Sequence, residues 1–208
     1  MKQGKFITLE GIDGAGKSTQ LAWIVELLQH AGLTVIVTRE PGGTPLGEQL
    51  RAVLLDNLTA MHPETEALLM FAARREHLDK VIMPALAQSQ WVVSDRFTDA
   101  SFAYQGGGRG LNTDKLGILE DWVQGALQPD LTLYFDVPVE IGQQRVSQGG
   151  VMDRFEQEQA DFFQRVRVAY LGRARQFPER IKIIDSSQSL AAVKAAVEQL
   201  LQPLLNHG

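Results

Sequence analysis

Eight residues near the start of this 208-residue chain, Gly11 to Ser18 ("GIDGAGKS"), restrict its possible folds more than any other stretch. They fit the pattern GxxxxGK[ST], with an apolar run before them and a segment of helical periodicity behind. Such a loop works because its glycines let the backbone curl, so that successive N–H groups point inward. The helix that starts directly behind adds partial positive charge. The ligand favoured is a polyphosphate, with Lys17 reaching its β and γ phosphates and Ser18 offering a hydroxyl to the magnesium it carries. A nucleoside triphosphate is expected; the plainer alternative is a glycine-rich turn with a surface lysine.

Short apolar runs rich in β-branched and aromatic residues recur at Lys5 to Leu9, Thr34 to Thr38, Trp91 to Ser94, Leu131 to Asp136 and Ile181 to Ile184. Runs without polar alternation are what parallel strands need when helices cover both faces of their sheet. Helical spacing is read over Ser18 to Ala31, Pro63 to Ala87 (interrupted near Pro84), Asp114 to Leu127, Val139 to Gln148, Glu156 to Arg175 and Leu190 to Leu205. The alternation predicts an α/β, P-loop NTPase-like three-layer fold. It is an open, doubly wound parallel sheet of about five strands, with helices on both faces and ligands at the carboxyl ends of the strands. No repeat or long linker divides the chain, so residues 1–208 are expected to form a single domain. Gly42 and Gly43, Gly106 to Gly110, and Gly149 and Gly150 mark loops that can approach a ligand or move.

A net charge of −5 argues against a protein that binds nucleic acid by neutralising its backbone. There is no cysteine, hence no disulfide, thiolate nucleophile or Cys-ligated zinc, which suits a reducing compartment. No run is long enough to cross a bilayer or act as a signal sequence, and a cytoplasmic protein with no membrane partner is expected.

Within the phosphate loop, Asp13 would repel phosphate unless aimed elsewhere. Either it meets a hydroxyl on a second, neighbouring substrate, or it points to solvent or favours the helix N-terminus. "WVVSDRF" ends a buried strand in Asp95 and Arg96. Asp95 is placed to hold a magnesium-bound water and Arg96 to clamp a phosphoryl group through its planar fork, or the two form a structural ion pair. "TREPGGTPLGEQLR" puts Arg39, Glu40 and Arg51 around a proline and glycine turn after another strand. "LLMFAARREHL" sets Phe71 one helical turn before Arg74 and Arg75, so a ring and a guanidinium can share a face. Beside a phosphate loop that pairing suits a nucleobase and its phosphate; alone it reads as a core helix with solvated charges.

Six blocks occur in order across nearly the whole chain: "EGIDGAGKST", "TREPGGTPLGEQLR", "LLMFAARREHL", "SDRFTDASFAYQGGGRG", "QPDLTLYFDVP" and "DRFEQE". Together they resemble bacterial thymidylate kinases. That resemblance implies transfer of the ATP γ-phosphoryl to dTMP, giving dTDP and ADP, with Mg²⁺ and in a homodimer. The residues alone stop at a P-loop phosphotransferase. Carried over by position, the resemblance assigns the ATP loop to Gly11, Ile12, Asp13, Gly14, Ala15, Gly16, Lys17, Ser18 and Thr19. Asp13 also matches a contact to the dTMP 3′-hydroxyl. Arg96 matches the arginine on the acceptor phosphate, with Ser18 and Asp95 near magnesium. Ser101 and Gln105 match contacts to the thymine edge, and Tyr104 the ring that disfavours a ribose 2′-hydroxyl. Phe71 matches the thymine-stacking ring and Arg74 its neighbour, with Arg75 also open; Glu40 and Arg51 complete the dTMP site. Arg145 resembles the residue packing on adenine, and "DSSQSL" from Asp185 a wall of the base pocket.

The last block lies in an expected lid, about residues 146–158. No arginine stands in the loop between Gly11 and Lys17, and family members with that feature carry a catalytic arginine in the lid. Arg154 is thereby expected to join Lys17 and Arg96 in catalysis, worth roughly a thousandfold in rate; otherwise it salt-bridges Asp153 or Glu156. The attacking oxygen is already an anionic phosphate, so no general base is needed. Two rivals stay open: another nucleotide or nucleoside kinase on this fold, and a nucleotide-dependent switch, against which stands the lack of an NKxD-type guanine motif.

Overall fold

The computed structural model describes residues 4–58, 60–146 and 153–206. The strands are β1 (Phe6–Glu10), β2 (Val35–Arg39), β3 (Trp91–Asp95), β4 (Leu131–Asp136) and β5 (Ile181–Asp185), close to the five apolar runs. They form one sheet in the order β2-β3-β1-β4-β5, every neighbouring pair parallel. Pairing of Leu9 with Asp95 and of Arg39 with Asp95 brings the carboxyl ends of β1, β2 and β3 level. The central strand β1 and its neighbour therefore open onto one shared edge, the usual ligand side of such a sheet.

Why both faces are buried follows from period-two alternation. Phe6 and Val92 enter one core cluster together with Phe71, Phe97 and Leu116. Ile7, Leu9, Trp91 and Val93 enter the other, with Ile24, Leu28, Val193 and Val197. Apart from Phe97, which follows β3, those partners come from helices α1 (Lys17–His30), α3 (Pro63–His77), α6 (Thr113–Gln124) and α9 (Leu190–Asn206). The buried threonines of β1 and β4 are paired across the sheet. Thr8 and Thr132 share a 2.8 Å hydrogen bond, and Arg180 donates to Thr132 at 2.8 Å.

Helix α2 (Pro45–Leu55) is a departure from the expected proline and glycine turn. Its start signals were local: Thr44 accepts from Gly47 N–H at 2.9 Å, Pro45 follows, and Glu48 sits in the first turn. The break near Pro84 is observed as a π-helical segment, Leu78–Ile82, leading into α4 (Met83–Ala87). Proline has no N–H to return to the preceding turn, and a wider turn ahead of it accommodates the gap.

Helix α5 (Thr98–Ser101) runs into a second π-helical segment, Phe102–Gly108, where a glycine loop was expected. Gly108 serves packing there. A Cβ on it would lie 2.5 Å from the Phe162 ring of α8 (Ala160–Gln176), so only glycine allows the two elements to come this close. Helix α7 (Val139–Val146) ends the described chain before 147–152. The expected lid glycines Gly149 and Gly150, and the tail of the helix expected to reach Gln148, lie outside the described residues. Residues 154–157 form a turn ahead of α8, which starts later than the expected Glu156.

Candidate active site

At the carboxyl edge of the sheet lies an open cavity of about 430 Å³. Its walls come from the loop between β1 and α1, the segment after β2, α2, α3, the Asp95 to Gln105 stretch, Arg145 on α7, and Asp153, Phe155 and Glu156. One cavity thus contains Gly14, Gly16, Lys17, Ser18 and Thr19 together with Glu40, Arg51, Arg74, Ser101, Tyr104 and Gln105. Gly11, Ile12 and Ala15 shape the loop from behind.

The loop closes on itself through Lys17, whose Nζ donates to the carbonyls of Gly11 and Ile12 at 2.9 and 3.0 Å and lies 3.8 Å from Asp13 Oδ1. Gly14, at φ +77°, comes so near α7 that a Cβ would meet the Gly142 carbonyl at 2.2 Å, which a side chain forbids. Burial, aided by the Arg96 charge, pushes the Lys17 ammonium below its ordinary pKa; Asp13, Asp95 and Glu10 oppose that shift. Arg145 Nη1 donates to Gly14 O at 3.0 Å and approaches Ser186 O at 3.4 Å, so its planar group closes the loop end of the cavity beside Ser186.

Arg96 occupies the middle. It is one of two non-glycine residues with positive φ, at 69°, among the described residues. Such a backbone costs about 1–3 kcal/mol and persists only where neighbours impose it. Its N–H donates to Leu9 O at 2.9 Å, and the next N–H, of Phe97, donates to Glu10 Oε1 at 2.8 Å. The side chain is thereby turned into the cavity, where Nη2 donates to Asp13 Oδ1 at 2.7 Å and to Tyr104 Oη at 3.1 Å. Asp13 is therefore neither free in solvent nor a helix cap. Burial opposes its ionisation, but Arg96 and Lys17 outweigh burial and hold its carboxyl below the usual range. No ion pair joins Arg96 to Asp95. Asp95 Oδ1 is a buried acceptor with no hydrogen-bond partner, and Ser18 lines the same cavity.

At the far end Arg74 is 2% exposed. Nε donates to Glu40 Oε2 at 2.7 Å, and Nη2 to Ser101 Oγ and Phe97 O at 3.0 and 3.2 Å. Glu40 is backed in turn by His77 at 2.9 Å. Arg74 Nη1 is a buried donor without a partner, beside the cavity. Arg75 turns away, donating to Val123 O at 2.9 Å, so of the two arginines it is Arg74 that lines the cavity. Phe71 does not reach the cavity. It is 1% exposed in the core, a shelf with Arg74 4.5 Å above its ring, and Met70 takes the wall position. Arg51 donates to Pro41 O at 2.9 Å and faces the same end.

Arg154 likewise is not on the cavity wall. Nε donates to Leu54 O at 2.8 Å and Nη1 to Glu66 Oε2 at 2.7 Å, with Phe155 4.6 Å below the guanidinium. Neither Asp153 nor Glu156 is its partner. Glu66, unnoticed in the sequence, is one of several acidic residues on a helix, and nothing local marks it.

Glu10 was also missed. Burial, then the nearby Asp99 charge, raises its pKa from 4.5 to about 8, against hydrogen bonds from Tyr170 and Phe97. A carboxyl raised on folding keeps a proton that the unfolded chain releases between those values, so its contribution to stability declines as pH rises through that interval. Glu10→Gln, which cannot ionise, is expected to lose less melting temperature than the parent between pH 5 and 8; parallel slopes in thermal melts would count against this account.

A thymidylate kinase family model matches residues 9–197. Among curated relatives, thymidylate kinase of Nitrosomonas europaea is 67% identical over 202 residues, covering 97% of this chain and 94% of that protein. The thymidylate kinase of Nitrosospira multiformis is 66% identical, covering 95% and 96%. The crystal structure of thymidylate kinase from Ehrlichia chaffeensis superposes with a TM-score of 0.78 at 35% identity, covering 96% of this chain and 99% of that one. With a match running from the phosphate loop into α9 and relatives this similar over nearly their whole length, the chain belongs to the thymidylate kinase family.

Proposed function

We propose that this cavity holds ATP and dTMP end to end and passes the γ-phosphoryl from one to the other, giving ADP and dTDP. The observation that carries the reading is that a single cavity is lined by both the triphosphate loop and the Arg51, Arg74, Ser101 and Gln105 wall, with Arg96 between them. Catalysis then consists of alignment and charge stabilisation, since the nucleophile is already anionic. Loop amides and Lys17 take the donor phosphates, Lys17 exchanging the Gly11 and Ile12 carbonyls for phosphate oxygens. Arg96, carried by its enforced backbone, meets the acceptor phosphate; Asp13, released from Arg96, receives the sugar hydroxyl. Tyr104 stands where a 2′-hydroxyl would come, and Arg145 lies along the adenine.

The unpartnered donor on Arg74 calls for a carbonyl acceptor, which thymine supplies at O4 and cytosine, with an amino group at that position, does not. Ser18 and the unpartnered Asp95 oxygen would hold Mg²⁺, directly or through water, and the ion would neutralise phosphate charge there. Arg154 is the proposed transition-state cation of a lid at about 146–158 in a single catalytic domain, and it must leave Glu66 to act.

The test is ADP formation from ATP with dTMP, dUMP, dCMP, AMP or thymidine as acceptor. Strong preference for dTMP is expected; equal ATP turnover with no acceptor would turn the reading into a switch ATPase. A homodimer is part of the proposal. Helices α3 and α6 pack together, and Leu68, Ile118 and Trp122 on them are 54%, 66% and 80% exposed, an apolar group that a second copy would cover. Trp122→Glu is expected to shift the protein from dimer to monomer in sedimentation equilibrium. No helix among the described residues is long and apolar enough to cross a membrane. A cytoplasmic location follows from the charged substrates, and cell fractionation checks it.

A further inference from the structure

Gln105 lines the cavity, yet its amide is not free to choose which end it shows. Nε2 donates to Glu66 Oε1 at 2.8 Å. Glu66 is fully buried in the first turn of α3, with its other bonds from Arg154 Nη1 at 2.7 Å and from Arg109 Nε at 3.2 and 3.3 Å. A carboxylate between two guanidiniums has only lone pairs to offer. Turning the Gln105 amide over would set carbonyl oxygen against carboxylate oxygen in a buried site, a mismatch that forfeits the bond and adds repulsion. The end left for a ligand is therefore the Gln105 carbonyl, an acceptor, on the same wall as the unpartnered Arg74 donor.

We infer that Glu66 is a positioning residue for base selection: it locks the Gln105 amide so that the cavity presents a carbonyl acceptor to the pyrimidine ring. Bases with a ring N–H beside a carbonyl, thymine and uracil, satisfy acceptor and donor together. Cytosine, with a ring lone pair beside an amino group, opposes both. This rests on the reading that Gln105 and Arg74 meet the base. The same carboxylate holds Arg154 and Arg109, so a merely structural role must be separated from a selective one.

Steady-state phosphorylation of dTMP and dCMP by the full chain, read as the ratio of their kcat/KM values, makes that separation. Glu66→Gln keeps the shape but lets its own amide present either end, so Gln105 can turn. The dTMP to dCMP ratio is expected to narrow about tenfold, the worth of one buried hydrogen bond, through a gain for dCMP as well as a loss for dTMP. Glu66→Asp, still acceptor-only, retains the parental ratio. Arg109→Met, which removes one ion pair and leaves the Gln105 bond, lowers the melting temperature with the ratio unchanged. Should Glu66→Gln not fold, Glu66→Gln with Arg109→Gln removes one charge of each sign and gives the same readout.

Gln105→Leu tells the two levels apart. If it narrows the ratio while Glu66→Gln does not, the role given to Glu66 is wrong and the base site stands. If neither variant moves the ratio, the base site itself is misplaced and the inference falls with it.

Discussion

Arg154→Ala is expected to turn ATP and dTMP over about a thousand times more slowly than the parent, with dTMP affinity only modestly reduced. An arginine brought to the transferring phosphoryl stabilises charge spread over its equatorial oxygens, which the ground state feels less than the transition state. In the observed conformation Arg154 is engaged elsewhere, between Leu54 O, Glu66 and the Phe155 ring. Its Nη2 is buried without a partner, while Asp153, Phe155 and Glu156 on either side already line the cavity. Reaching the phosphates means exchanging a 2.7 Å ion pair for a charge-assisted bond to phosphate, a swap between partners of similar strength. Single-turnover kinetics, dTMP calorimetry and a melting curve on one preparation check this. A variant that loses stability yet keeps turnover within a few-fold would make Arg154 a tether of the turn to α3. The transition-state charge would then fall to Lys17 and Arg96.

Arg96→Met is expected to lower kcat/KM for dTMP by about a hundredfold to a thousandfold, the usual worth of a preorganised charge at the reacting phosphates. The substitution also strips Asp13 of its 2.7 Å partner and leaves Lys17 Nζ, 3.8 Å away, as its nearest cation. The positive φ stays, because Leu9 O and Glu10 still grip the peptide groups on either side. Arg96→Gly loses the same guanidinium but adopts that backbone without strain, so it is expected to melt above the Met variant while being equally inactive. Equal melting temperatures would mean that the left-handed backbone stores no strain, and near-parental dTMP kinetics would remove Arg96 from the acceptor site.

Some of this site could be read in one dimension because its signals are local. Gly11 to Ser18 declares strand, loop and helix within a few residues, and the five apolar runs declare strands because neither face of a parallel sheet meets water. The start of α2 was equally local, in Thr44, Pro45 and Glu48, but the prolines and glycines nearby drew the turn reading instead. Phe71 illustrates a different limit. Neighbouring positions on a helix point about 100° apart. "MFAARR" therefore holds one ring and two candidates for the arginine, and only the packing of α3 shows that Met70 and Arg74 face the cavity while Phe71 faces the core and Arg75 Val123.

Sequence alone determined the order of the strands and of most helices, the glycine-rich loop between strand and helix, and the family, since each rests on neighbouring residues or on ordered blocks. The tertiary structure alone decided which charges meet. Asp13 finds Arg96 across 83 positions, Arg154 finds Glu66 across 88, and Gln105 finds the same carboxylate across 39. An ion pair leaves no local trace of its partner in the chain, because charge attracts through space and many carboxylates lie within reach in sequence terms; burial selects the one that must be paired.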